Sequence, residues 1–307
     1  MAMELPKQLT VKQSVLATLA YFDLFEVPLT REELSDYLLF QKPDERALDL
    51  YLKDSSYVMR REGFLSFHWN PEFWKEWEEK QARTRAAFAK VARWRWLFQL
   101  CPFVRLVAVC NSVTMGDTRK NSDIDLFVVA EPGRLFTARL ALTLLTSLFG
   151  LRRHGQKIRE RFCLSFYVTE EALDLSPLLL KPYDIYLGFW AQSLQPVAGD
   201  YSVYEDFIAL NWPWLSTYFA APVRRKRYFR ASRGWVKLAH RLLEWLLDSD
   251  KVERWCREKQ WGRALAKFHE LEDKRGTVIS DSMLKFHDKD ARLEVREAWR
   301  AKVEKMI

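Results

Sequence analysis

Two apolar runs in the middle of the chain constrain its fold more than any other feature of the sequence. Val104–Cys110 is apolar apart from Arg105, as buried strands largely are. Asp123–Ala130 is apolar except for Asp123 and Asp125, which are separated by one residue. Because the side chains of a strand alternate between its faces, we expect both carboxylates on one face. Neighbouring carboxylates repel each other and resist burial, so the pattern predicts a divalent cation with oxygen ligands.

A polar turn joins the two runs. Asn111 and Ser112 end the first strand, where the backbone N–H groups of a helix start and the Ser112 hydroxyl are suited to hold a phosphate. Gly116 permits the tight loop that brings the second strand beside this turn. Further on, Arg134–Leu151 is an amphipathic helix and Phe162–Val168 is a third strand. Exposed carboxylates on an edge strand are the alternative that needs no ligand.

This passage resembles the signature of the DNA polymerase β-like nucleotidyltransferase superfamily. Asn111–Asp125 (NSVTMGDTRKNSDID) is similar to the family pattern of Gly-Ser, a glycine, a short polar loop and Ser-Asp-x-Asp between apolar residues. The order strand, turn, strand, helix, strand also matches. The resemblance covers residues 100–170 and implies a nucleotidyltransferase-fold mixed sheet with helices. The flanking regions are similar to uncharacterised members that carry an N-terminal winged helix.

The resemblance also implies an activity and a set of site residues. It implies in-line transfer of a nucleoside monophosphate from an NTP to an unidentified acceptor, either a nucleic acid or a protein. Asp123 and Asp125 would be the catalytic residues and would hold Mg²⁺ or Mn²⁺. The implied nucleotide-binding residues are Asn111, Ser112, Gly116 and Ser122.

The sequence departs from the family pattern at two positions. Asn111 stands at the family's first glycine, and Asn tolerates left-handed backbone better than most residues. The family carries a third carboxylate on the next strand, where residues 161–168 contain no Asp or Glu and Ser165 occupies the approximate place. The acidic residues outside that strand replace the missing carboxylate only if the register differs; they are Glu160, Glu170, Glu171 and Asp174. A catalytically impaired nucleotide-binding sensor or scaffold of the same fold is therefore the first alternative.

Three predicted helices and a hairpin precede this region. Apolar periodicity predicts the first helix, Thr30 and Glu33 form a capping box for the second, and Asp44–Lys53 forms the third. Residues 58–67 are predicted to form a hairpin around a Glu-Gly turn. The order is typical of a winged-helix-like domain, here residues 1–70. Acidic residues outnumber basic ones on the third helix, so we expect this domain to be a packing module or a protein-contact module rather than a DNA reader.

The remaining chain divides into three predicted parts. They are a Trp-rich linking helix over residues 71–100, a nucleotidyltransferase-like domain over 101–176 and a helical C-terminal region over 177–307. In the last part, residues 222–263 carry 13 lysines and arginines against five acidic residues. Basic and aromatic residues mix at 224–230, which suits a nucleic-acid strand. The candidate contacts are Arg224, Arg225, Arg227 and Arg230. A nucleic-acid-binding regulator is the second alternative, and a solvated helical face explains the same charges.

Composition restricts the class of protein further. The 307 residues are 49% hydrophobic and 29% charged, which is ordinary for a globular chain of about two domains. The four cysteines form no C-x-x-C pair and the five histidines have no metal-ligand spacing, so we assign the histidines structural roles. No signal peptide or bilayer-spanning run is found, so we expect a cytoplasmic protein without a membrane partner. The predicted strands and helices together make its expected fold class α+β.

Overall fold

The structure, a computed structural model, describes residues 9–40, 42, 44–68, 70–223, 228–287 and 290–306. Its first part contains the three predicted helices and the predicted hairpin. These elements are α1 (Val11–Asp23), α2 (Arg31–Asp36), α3 (Glu45–Asp54), β1 (Leu29–Thr30), β2 (Met59–Arg61) and β3 (Phe64–Ser66). The three strands form an antiparallel sheet in the order β1-β3-β2.

Local chemistry explains these first elements. Thr30 accepts a hydrogen bond from the Glu33 backbone N–H while the Glu33 carboxylate accepts one from the Thr30 backbone N–H, which is the predicted capping box of α2. Asp44 caps α3 through the backbone N–H groups of its first turn. The hairpin reverses at Glu62 and Gly63, whose φ angles are 53° and 84°. Positive φ at both central positions is what a tight hairpin turn requires, and glycine adopts it without steric cost.

One long helix connects this part to the rest of the molecule. Helix α4 (Pro71–Leu100) has the predicted bounds, with Asn70 as its N-cap and Pro71 as its first residue. Lys80 of α4 is buried, and its Nζ atom lies 2.9 Å from Asp117 Oδ1 and 2.7 Å from the Phe25 carbonyl oxygen. The buried ammonium therefore ties the first part of the chain to the polar loop of the central sheet.

The central sheet has six strands in the order β7-β4-β5-β6-β9-β8. The strands are β4 (Val104–Val109), β5 (Ile124–Ala130), β6 (Phe162–Thr169), β7 (Gln195–Gly199), β8 (Thr277–Ile279) and β9 (Met283–Phe286). Strands β5 and β6 are parallel, and helix α5 (Leu135–Leu148) connects them; the other neighbours are antiparallel. The protein is thus α+β, with a mixed sheet and a small antiparallel sheet.

Five further helices complete the described part of the chain. They are α6 (Ile185–Ser193), α7 (Tyr201–Leu215), α8 (Gly234–Leu247), α9 (Asp250–Glu270) and α10 (Arg292–Glu304). Alternate residues of β5 divide between two cores: Phe127 and Val129 pack with α6, α7 and α1, whereas Leu126 and Val128 pack with α4 and α5. Among the helices that the structure describes, none has the length and apolar composition required to cross a membrane.

The prediction of a helical C-terminal region over 177–307 is wrong in one respect. That region contains α6 to α10, but it also supplies β7, β8 and β9, so the central sheet extends beyond residues 101–176. Each of these strands has three to five residues, too few for the alternation of apolar and polar side chains to be read. Strand β7 also contains Pro196 and Gly199, residues that indicate a loop when pairing partners are unknown.

Candidate metal centre

The two predicted carboxylates lie together at the start of β5. Asp125 is the second residue of this strand and Asp123 precedes it. Phe127 and Val129, which continue the same alternation, pack under α6 and α7, so Asp123 and Asp125 lie toward that face of the sheet. Ligand atoms of Asp123, Asp125 and Cys163 all lie within 4.8 Å of one another. The predicted common face of the carboxylates is therefore present, and a thiol lies beside it.

The register between β5 and β6 explains the position of Cys163. Asp125 pairs directly with Cys163, but the next pair is Phe127 with Phe166, so β6 carries one extra residue there. The bulge leaves Ser165 on the same side as the carboxylates. The Ser165 Oγ atom lies 3.4 Å from Cys163 Sγ. Ser165 is the residue that the sequence pattern predicts at the third-ligand position. In the structure the residue opposite Asp125 is Cys163, and Ser165 lies two residues further along the strand.

Two of the acidic residues that only a different register would bring to the centre, Glu160 and Asp174, lie elsewhere. The Oε1 atom of Glu160 is 3.4 Å from Arg159 Nε, and the Asp174 carboxylate accepts hydrogen bonds from the backbone and hydroxyl of Ser176. Within the described ranges, neither belongs to the group around Asp125.

The charge at this centre is only partly compensated. Burial, followed by repulsion from Asp123, raises the pKa of Asp125 to about 6, while the Asn111 side chain opposes the rise by donating a hydrogen bond. Asp123 Oδ2 accepts a hydrogen bond from Arg153 Nη1 at 2.7 Å. The Arg153 side chain is 45% exposed, so much of its charge is solvated. The arrangement favours an additional cation.

The polar turn before β5 places the other predicted site residues. Asn111 adopts φ 58°, and the backbone N–H of the preceding Cys110 donates to the Asp125 carbonyl oxygen at 3.1 Å. This strained residue therefore sits directly beside the carboxylates. Ser112 lies within a short 3-10 helix, Asn111–Val113, and its carbonyl oxygen accepts a hydrogen bond from the Asp117 backbone.

Gly116 and Ser122 have positions that suit loop geometry. Gly116 has φ 78°, and a Cβ atom there would lie 3.5 Å from Trp77 and Gln81 of α4. The Ser122 hydroxyl accepts a hydrogen bond from the Arg119 backbone at 2.9 Å and so closes the loop before β5. The structure thus brings Asn111, Asp123 and Asp125 together, while Gly116 packs against α4 rather than against the carboxylates.

Strand β9 brings to this face side chains that no sequence pattern predicted. Lys285 pairs opposite Phe166, and the next residue on its side of the strand is His287, whose Nε2 atom lies 3.4 Å from Ser165 Oγ. Burial lowers the pKa of Lys285 to about 8. A cavity of about 160 Å³ opens here, lined by Asn111, Tyr186, Trp190, Lys285, His287 and Arg292 among others. A four-residue strand carries no local signal for this pairing, which joins residues 122 positions apart.

The donor atoms fit a hard divalent cation at the two carboxylates. Carboxylate oxygens are the ligands that Mg²⁺ prefers, and one or two of them suffice when phosphate oxygens complete the coordination. Cys163 suits Mg²⁺ poorly, because thiolates favour softer metals. Burial, followed by the Asp125 charge, raises the pKa of the Cys163 thiol to about 12, so it stays protonated. Mg²⁺ would therefore be held by Asp123 and Asp125 without the sulfur.

The basic segment is only partly described. Arg224, Arg225 and Arg227 lie outside the described residues. Arg230 is exposed near the C-terminal end of α4, where its carbonyl oxygen accepts a hydrogen bond from Gln99 Nε2 at 2.8 Å. The role of these four arginines as nucleic-acid contacts stays a prediction.

Comparison with known proteins adds no relative: no family model, no curated protein and no solved structure matches the chain.

Proposed function

We propose that this protein is a Mg²⁺-dependent nucleotidyltransferase built on the polymerase β-like fold, transferring a nucleoside monophosphate from an NTP to a nucleic-acid or protein acceptor. One observation carries the proposal. Two carboxylates on one face of β5 lie beside the parallel strand β6, directly after a strand and a polar turn that contains a left-handed Asn111. The resemblance of residues 111–125 to the family signature supplies the reaction class.

Each side chain at the centre has a defined part in this proposal. Asp123 and Asp125 bind the Mg²⁺ that arrives with the triphosphate, and Asn111 orients Asp125 through its hydrogen bond. The bound ion supplies Lewis-acid stabilisation of charge on the phosphate oxygens. The cavity beside Asn111 offers aromatic walls from Tyr186 and Trp190 and the ammonium group of Lys285. Aromatic walls and a cation together suit the base and the phosphates of a nucleotide.

The first part of the chain fits the winged-helix assignment within the same proposal. Its three helices and hairpin occur in the order that a winged helix requires. On α3, Glu45 and Asp49 form ion pairs with Arg31 of α2 but remain mostly exposed, so the outer face of α3 stays acidic. A surface of this charge repels phosphates, and we propose that the domain contacts protein rather than DNA.

A catalytically impaired nucleotide sensor or scaffold is the second candidate, and a specific observation favours it. The position opposite Asp125 holds the neutral thiol of Cys163 instead of a third carboxylate. Activation of the attacking hydroxyl depends on the metal that a third carboxylate helps to hold. On this reading, nucleotide binding persists while transfer is slow or absent.

Calorimetric titration of each NTP with and without Mg²⁺ tests the binding step. We expect Mg²⁺-dependent binding that Asp125→Asn weakens and that the matched exposed variant Asp206→Asn leaves unchanged. Incubation with NTPs labelled at the α-phosphate then separates the enzyme from the scaffold, since only an enzyme transfers the label. Binding that is equal without Mg²⁺, or unchanged by Asp125→Asn, contradicts both candidates.

A further inference from the structure

The outer surface formed by α8 and its neighbours is unusual for a water-exposed helix. Five large apolar side chains of α8 are exposed: Trp235 at 57%, Leu238 at 71%, Leu242 at 54%, Trp245 at 75% and Leu246 at 59%. Their spacing places them on one side of the helix over three turns. The charged residues exposed with them on α8 are Lys237 and Arg241, whereas Glu244 turns inward to bind Arg105.

This apolar stripe continues onto two other helices. The Trp235 ring lies 6.4 Å from Trp96 of α4, and Trp96 lies 5.8 Å from Phe149 at the end of α5. Next to Phe149, Leu148 is 78% exposed and Leu144 one turn earlier is 59% exposed. A continuous apolar surface of this extent is typical of an interaction site rather than of scattered exposed residues.

A cluster of positive charge borders the stripe at the start of α8. A cavity of about 510 Å³ between α4 and α8 is lined by Arg93, Arg95, Arg233, Trp96 and Trp235, among others. In the described lining of this cavity there is no carboxylate. Burial lowers the pKa of Arg95, and the nearby Arg230 and Arg233 lower it further. The gathering of Arg93, Arg95 and Arg233 in a described lining that holds no carboxylate indicates an anionic ligand.

We propose that the surface formed by α8, the end of α5 and the arginine cavity binds an anionic phospholipid membrane. Helix α8 lies along the interface with its leucines among the acyl chains, as interfacial amphipathic helices do. Trp235 and Trp245 lie at the two ends of α8, and Trp favours the headgroup level. Arg95 and Arg233 bind lipid phosphates. This proposal is independent of the nucleotidyltransferase activity.

Charge and shape favour lipid over a nucleic acid at this surface. A nucleic-acid strand is held by basic groups and by aromatic rings on which bases stack. The two arginines and Trp235 meet that requirement, but Leu238, Leu242 and Leu246 offer a strand neither stacking nor hydrogen bonds. An apolar aliphatic stripe bordered by cations matches the two chemical parts of an anionic lipid layer. The sequence-based expectation of no membrane partner depends on the lack of spanning segments and signal peptides. It does not concern a helix that lies on the membrane surface.

Sedimentation with vesicles tests the proposal. Vesicles of phosphatidylcholine alone are compared with vesicles of phosphatidylcholine and phosphatidylglycerol in equal amounts, at low and high salt. We expect binding to the anionic vesicles that weakens with salt. Arg95→Gln and Arg233→Gln each lower the affinity by about fivefold. Leu238→Asn and Leu242→Asn each lower it by about tenfold. The matched variants Arg60→Gln and Leu210→Asn, which alter exposed residues elsewhere, leave it unchanged.

Three results overturn the proposal. The first is no binding to anionic vesicles, or equal binding to both kinds. The second is binding of a single-stranded oligonucleotide that depends on Arg95 and Arg233 while vesicles are not bound, which assigns the surface to nucleic acid. The third is a dimer in sedimentation equilibrium that Leu238→Asn dissociates, which assigns the apolar stripe to a second copy of the chain.

Discussion

Two neighbouring clusters in this molecule each contain two aspartates and one arginine, and their hydrogen bonding differs. In the first, Arg292 donates to Asp184 at 2.9 Å and to Asp290 at 2.7 Å, and all three side chains are buried. Asp184 also accepts hydrogen bonds from the backbone N–H groups of Leu187 and Leu180. Burial alone would raise the pKa of Asp290, but the hydrogen bonds from Arg292 lower this pKa overall. Lys285 lies nearby and also lowers the pKa of Asp290, so two cations balance the two carboxylates of this structural network.

The second cluster has the same groups but a different balance. Arg153 makes one hydrogen bond, to Asp123, and its side chain is 45% exposed. Burial and the nearby Asp123 raise the pKa of Asp125 to about 6, because together they outweigh the opposing charge of Arg153. The comparison teaches that carboxylates alone do not mark a ligand site. A buried carboxylate whose negative charge is not balanced does mark such a site, because a bound cation can supply the missing positive charge.

Removing the arginine of each cluster is the strongest test of this contrast. Arg292→Met leaves Asp184 and Asp290 buried without their cation, so we expect a loss of about 3–5 kcal/mol in the free energy of unfolding. Arg153→Met removes a single half-exposed contact and is expected to cost less than about 1 kcal/mol. Urea denaturation near neutral pH measures both. Equal losses from the two variants would show that the clusters do not differ.

Asparagine substitutions are expected to change stability in opposite directions. The folded-state pKa of Asp125, about 6, lies above its ordinary value of 3.8, so folding favours the protonated form. Its stabilising contribution is present below the ordinary pKa and is lost as pH rises through about 6. Asp125→Asn mimics the protonated form, so it is expected to raise the free energy of unfolding by about 2–3 kcal/mol at about pH 7.5 and to change it little at about pH 4.

Asp290→Asn is the matched control for that experiment. The pKa of Asp290 is lowered in the folded state, so its ionised form stabilises the protein above the ordinary pKa and loses this effect as pH falls. We therefore expect Asp290→Asn to destabilise near neutral pH and to cost less in acid. Urea denaturation across the same pH range detects both signs. If both variants shift stability in the same direction, the assignment of uncompensated charge to Asp125 is wrong.

The features that a short segment encodes by itself were predictable from the sequence. The capping box at Thr30, the hairpin turn at Gly63 and the shared face of Asp123 and Asp125 each depend on residues within one short segment. Such features follow from capping chemistry, turn geometry and the alternation of strand side chains. The α+β class followed from the same local signals.

The rest of the centre depends on contacts that no short segment encodes. Cys163 lies opposite Asp125 because a bulge in β6 sets the register, and strand alternation cannot locate a bulge in advance. His287 reaches Ser165 through pairing of segments 122 residues apart. Arg153 comes from the loop between α5 and β6, where charged residues ordinarily face solvent. Tertiary pairing, rather than propensity, decides these positions.

Replacing Cys163 tests the register at the third-ligand position. Cys163→Asp places a third carboxylate opposite Asp125, so we expect affinity for Mn²⁺, titrated in the presence of NTP, to rise about tenfold, equivalent to about 1.4 kcal/mol. Calorimetry or the paramagnetic signal of Mn²⁺ measures this change. Ser165→Asp is the control and is expected to give a smaller rise, since its hydroxyl lies toward His287. A larger rise in Mn²⁺ affinity from Ser165→Asp would mean that residue 165, as the sequence predicts, is the third-ligand position.

The smallest expected effect concerns the cation already present beside the carboxylates. Arg153 donates to Asp123 Oδ2, an atom that a metal ion would also use, so the arginine and the metal compete for it. Arg153→Gln removes the competing charge, and we expect Mn²⁺ affinity to rise about twofold to fivefold, as suits a partly exposed ion pair. Arg159→Gln, which alters an exposed arginine of the same loop, is expected to leave the affinity unchanged. A fall in affinity for Arg153→Gln alone would mean that Arg153 assists the ligand, by binding its phosphates, instead of holding the place of the metal.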